Sequence, residues 1–114
     1  MAQFLLQVSY EPHAWAAMLK QPQSREDAVR PAIEALGGKI ERFYMAFGEY
    51  DIVGVIDMPD SVSAAAFSMA IMAGGACKAA KTTPLLSITE GIDAMRKATA
   101  CGYKPVGQSA ATAG

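Results

Sequence analysis

Two runs rich in aromatic and β-branched residues, 39–47 and 50–58, flank the pair Gly48-Glu49. Such runs read as strands. A Gly-X pair between them suits a two-residue hairpin, because glycine accepts the positive φ of a type II′ turn. That hairpin fixes a register. Phe47 lies opposite Tyr50, Met45 opposite Ile52, Phe43 opposite Gly54 and Glu41 opposite Ile56 on one face. Ala46 with Asp51, Tyr44 with Val53, Arg42 with Val55 and Ile40 with Asp57 fall on the other. A slip of one residue would exchange the faces of one strand. The first set is the more apolar, and it is assigned to the helix-covered side with Phe4, Leu6, Val8, Leu86 and Ile88. Phe43 opposite Gly54 fits a ring lying over a residue with no side chain.

The other elements follow from local chemistry. Residues 3–10 alternate in polarity and read as a first strand. Pro12 suits a first helical position, so 13–20 reads as a short helix ending near Pro22. Ser24-Arg25-Glu26-Asp27 is a helix start, with Ser24 as cap and the acids favoured at the positive end of the dipole. Val29, Ile33 and Leu36 form its apolar stripe, Gly37-Gly38 ends it, and Pro31 is the residue that could kink it. Pro59-Asp60-Ser61 opens a helix running through Ala73, closed by Gly74-Gly75. Residues 81–89 read as a fourth strand, put at a sheet edge by Pro84. Residues 90–100 read as a last helix, and 101–114 as a flexible tail after a single domain spanning 1–100. The order is β-α-β-β-α-β plus an extra helix: an α+β, ferredoxin-like chain, with a four-stranded antiparallel sheet and helices on one face.

Composition excludes several classes. With 114 residues, 52% of them apolar, the chain can bury a core without disulfide or metal staples. A net charge of −1 leaves no basic footprint for nucleic acid. The uncharged stretch 61–77 is short for a membrane span and is broken by glycines, so it reads as a buried helix. Met1-Ala2-Gln3-Phe4 has no positive charge before its apolar run and does not read as a signal peptide. Cys77 and Cys101 are far apart and read as free thiols of a cytoplasmic protein. One histidine and two distant cysteines do not make a metal set. No cofactor is implied. Only 18% of residues are charged, which fits a surface partly covered by a second subunit.

The second face of the sheet is mixed. It carries Leu5, Gln7, Ser9, Arg42, Tyr44, Asp51, Val53, Val55, Asp57, Leu85 and Ser87. That mixture suits a homodimer contact with polar groups round a small-molecule pocket. The candidate ligand-binding residues are Asp51, Tyr44, Tyr50, Arg42, Ser9, Gln7 and His13. Asp51 is a carboxylate in a strand, where its propensity is poor, so something must favour it there. It either fixes the hairpin or faces a pocket with a raised pKa. Tyr44 beside Asp51 is a candidate proton-transfer pair. Arg42 is either an ion-pair partner of Asp57 or an anion clamp. His13 stands at a helix start, exposed or else a base near the end of the first strand.

The segment Phe47-Gly48-Glu49-Tyr50-Asp51-Ile52-Val53 resembles the signature of the GYD domain family, small bacterial proteins of largely unassigned function. Ala35-Leu36-Gly37-Gly38-Lys39 and Arg42-Phe43-Tyr44 resemble it too, and the similarity covers most of 4–89. The resemblance implies a ferredoxin-like fold related to the dimeric α/β-barrel proteins, in which two sheets face each other across a dimer. Some of those are cofactor-independent monooxygenases or isomerases; others bind small ligands or have no known activity. It therefore supports a fold more than a reaction. The primary expectation is a non-enzymatic ligand-binding or regulatory module. The alternative is a cofactor-independent enzyme acting on a small apolar or aromatic molecule.

Overall fold

The computed structural model describes residues 1–107. The chain runs β1 (Ala2–Tyr10), α1 (Pro12–Lys20), α2 (Arg25–Ala35), β2 (Lys39–Met45), β3 (Ile52–Met58), α3 (Ser61–Ala73), β4 (Cys77–Leu85) and α4 (Ile88–Ala100). The strands form one antiparallel sheet in the order β2-β3-β1-β4. The fold is therefore the α+β ferredoxin-like arrangement with an added C-terminal helix. The anticipated tail is described only as far as residue 107; residues 108–114 lie outside the described residues.

Alternation along β1 and β3 builds the core. Phe4, Leu6, Val8, Ile52 and Ile56 are buried beneath Ile33 of α2 and Ala64 and Phe67 of α3. Burying a side chain of this kind stabilises the fold by about 1.5–3 kcal/mol. Phe43 lies over Gly54 as the pairing predicts: a Cβ on Gly54 would stand 2.7 Å from the ring and 2.9 Å from the Arg42 carbonyl oxygen. The starts of α2 and α3 are capped by side chains. Ser24 Oγ accepts from the Asp27 amide, and Asp60 Oδ1 accepts from the Ser63 amide. Pro31 is carried inside α2 at an exposed position. Gly37, at φ 84°, takes the left-handed conformation that ends this helix.

Three local expectations are corrected. The tight hairpin is absent: β2 ends at Met45 and β3 begins at Ile52, and the connection is residues 46–51. The Ala46 amide donates to the Asp51 carbonyl at 2.8 Å, and the Asp51 amide donates to the Val8 carbonyl at 2.8 Å, so the loop is anchored to β1 as well as closed on itself. Gly48 has φ 159°, not the turn conformation of a type II′ hairpin, and Phe47 stands free at the tip.

Second, the register holds from Arg42 to Met45 but breaks at a bulge between Ile40 and Arg42. Ile40 then lies opposite Ile56, and Lys39 opposite Asp57. The extra residue, Glu41, lets Ile40 and Phe43 both pack on the core, which an unbroken strand forbids because they would face opposite sides.

Third, β4 spans 77–85 rather than 81–89, and Leu86 and Ile88 are exposed instead of core. Ser87 and Glu90 form a reciprocal capping box, with hydrogen bonds of 3.0 and 2.9 Å, that starts α4 earlier.

Helix α4 buries no residue. It projects from the sheet, and the chain is 65 Å along its longest axis. The radius of gyration is 18.9 Å, against about 13 Å for a compact chain of this size. The face of the sheet opposite the core is left open, with Leu5, Val53, Val55 and Leu85 half-buried across its middle. No helix among the described residues is long and apolar enough to cross a membrane.

Candidate functional site

Two adjoining clefts lie on the helix side of the sheet, under α1 and the start of α2. The inner one holds about 400 Å³ and the outer about 440 Å³. They share Tyr10, Met18, Gln23, Arg25, Phe43 and Ile52 as walls. The inner cleft reaches His13, Val29 and Cys77, and the outer reaches Trp15, Tyr44 and Met45.

Each wall has a local cause. Pro12 starts α1 directly after β1, which holds α1 across the end of the strand. Tyr10 and Trp15 meet edge to face, with ring centroids 5.7 Å apart at 87°. Met45 pairs with Ile52 and so belongs to the helix side, yet it is 72% exposed because no helix reaches that corner. The uncovered corner is the mouth of the outer cleft.

The polar groups are few. Arg25 is half-buried and its Nη1 donates to Gln23 Oε1 at 2.8 Å. Burial pushes the Tyr10 phenol up, with Arg25 beside it drawing it part of the way back. Burial likewise pushes the Cys77 thiol up. Glu26, on the outer wall, is held by Arg30 at 2.7 Å. A third groove, of about 380 Å³ between α3 and β4, has no charged lining residue among the described residues.

The residues singled out from sequence do not converge on one place. His13 lines the inner cleft and Tyr44 the outer. Gln7, Ser9 and Arg42 lie toward the open face, and Tyr50 sits half-buried in the 46–51 loop. Asp51 Oδ2 accepts from the Tyr10 amide at 2.8 Å, so its carboxylate ties the loop to the end of β1. The ion pair anticipated for Arg42 with Asp57 is instead made by Lys39, whose Nζ lies 3.0 Å from Glu41 and 3.8 Å from Asp57. Asp57 is only 6% exposed. Burial, reinforced by its hydrogen bond with Glu41, pushes the Asp57 carboxyl up, while the hydrogen bonds from Asp57 and Lys39 hold Glu41 down.

Sequence reading passed over Tyr10, Met18, Arg25 and Cys77 as cleft walls. For Arg25 a signal existed: it is the first residue of α2, where the helix dipole disfavours a cation.

The sheet order, the helices on one face and the cleft at the end of β1 define a ferredoxin-like α+β domain with a ligand-sized recess. A model of the GYD domain matches residues 4–95, and the chain belongs to that family. The match extends into α4, beyond the segment that the signature residues suggested. No curated protein and no solved structure matches the chain.

Proposed function

We propose that this GYD domain is a non-enzymatic binding module for a small, largely apolar molecule, held in the paired clefts. The observation that carries this reading is the recess itself. Two chambers of about 400 and 440 Å³ share apolar walls and a few polar groups, which is the composition and size range of small-molecule sites. Binding is preferred to catalysis because the candidate acid–base residues do not gather in the recess: the Asp51 carboxylate is taken by the Tyr10 amide, and Gln7, Ser9 and Arg42 lie toward the open face. The test uses the chain's only tryptophan, Trp15, on the outer wall. Titration with 1-octanol should change Trp15 emission saturably. Ala17→Phe, at an exposed position that lines the inner cleft, should weaken that response while the fold is kept. A response that never saturates, or one indifferent to Ala17→Phe, would remove the reading.

The open sheet face supports a second element of the proposal, a homodimer. The half-buried Leu5, Val53, Val55 and Leu85 form an apolar centre, flanked by Gln7, Arg42 and Lys81. That is the pattern of an apolar interface core with a polar rim. A second copy is the occupant that matches it, since α4 extends away instead of folding back to cover its own sheet.

A further inference from the structure

We infer that Arg25 makes the paired clefts a receptor for the carboxylate of a small amphipathic acid. This rests on the binding reading above and names the chemistry of what would bind. Arg25 lines both chambers and is half-buried. A guanidinium carries five N–H donors and no acceptor; Arg25 donates to Gln23 Oε1 and is hydrogen-bonded to the Tyr10 hydroxyl, both neutral partners. None of the ion pairs among the described residues includes Arg25. The one acidic side chain on the walls among the described residues, Glu26, is taken by Arg30. A partly desolvated cation without a counter-charge is costly. Its place at the start of α2 adds to that cost, because the dipole there is also positive. An anion seated against Arg25 would relieve both effects.

The walls restrict which anion. Met18, Val29, Phe43 and Ile52 are apolar, so a bare inorganic ion would leave most of the recess without contacts. A neutral apolar molecule would fill the recess and leave the guanidinium unmatched. A molecule with both parts satisfies both demands. The planar fork of arginine matches a carboxylate through two parallel hydrogen bonds. Among the described residues the only other basic side chain on the walls is His13, on the inner cleft, so they gather no cluster of cations to balance a phosphate ester. The Tyr10 phenol, kept protonated, is a further donor beside Arg25.

Three probes that differ mainly in the head group test this: octanoate, methyl octanoate and octylamine, each titrated at neutral pH by Trp15 emission and by calorimetry. The wild-type protein should bind octanoate tenfold or more tighter than its methyl ester, and octylamine weakest of the three, in keeping with the worth of a hydrogen bond to a charged group. Arg25→Gln should cost tenfold or more for octanoate and less than about twofold for the ester. The comparison of acid with ester in the wild type stands even if Arg25→Gln fails to fold. Saturable binding of acid and ester with equal affinity overturns the carboxylate assignment and leaves the binding reading intact. Failure of every probe to bind overturns both.

Discussion

Asp51 and Asp57 are both strand-associated carboxylates, and the structure gives them opposite tasks. Asp51 accepts the Tyr10 amide and anchors the 46–51 loop. Asp51→Ala leaves that part-buried amide without its partner, and should cost about 1–3 kcal/mol in denaturant unfolding. Asp51→Asn keeps an acceptor oxygen and should cost less; equal losses would mean that the charge, not the acceptor, matters. Asp57 is different, because burial raises its folded pKa above the unfolded value. Its contribution to stability is then fully present below the ordinary carboxylate range and is lost as pH rises through the raised pKa. Glu41, held down, works in the other direction within the same pair. Asp57→Asn should therefore gain on the wild type as pH rises from acidic to neutral. A stability of Asp57→Asn relative to the wild type that stays flat or falls over that range would refute the assignment. The sequence pattern disclosed that these aspartates needed a reason to be there. It could not distinguish a loop anchor from a buried pair, because the partner of Asp51 is a backbone amide 41 residues away and that of Asp57 depends on a bulge.

Among the elements, those with strong local grammar were readable. The span of α3, the Ser24 cap and the proline start of α1 follow from residues adjacent in sequence. The hairpin and the start of α4 were misjudged where two local rules competed. Gly48-Glu49 looks like a tight turn, but Asp51 bonds to β1 and draws the loop wider. Leu85-Leu86-Ser87-Ile88-Thr89 looks like a strand by composition, yet Ser87 and Glu90 carry the capping-box spacing and decide the matter. Hydrogen bonds with Ser87 hold the Glu90 carboxyl below its usual range. Because α4 buries nothing, its stability is local. Ser87→Ala should lower the helical circular dichroism while leaving the denaturant midpoint of the sheet domain unchanged. A shift in that midpoint would mean that α4 is coupled to the core. The cleft walls were less readable than the elements, because Tyr10, Arg25 and Phe43 come from three segments that only the folded chain brings together.

For the molecule as a whole, the proposed homodimer rests on the open sheet face and the projecting α4. Light scattering in the micromolar range should give twice the chain mass, and Val55→Glu, at the middle of the open face, should return the monomer. A wild-type monomer would remove this assembly. Helix α4 has 13 residues, and isolated helices shorter than about 12–15 residues are marginal in water. Its amides, although hydrogen-bonded, are shielded only by a local helix–coil balance, so they should exchange with solvent far faster than those of β1. The exposed stripe Ile88, Ile92 and Met95 would change that wherever it came to rest on another surface. Deuterium uptake along residues 88–100 is thus a built-in gauge of assembly, slowing with protein concentration if a neighbouring copy covers the arm and indifferent to concentration if none does.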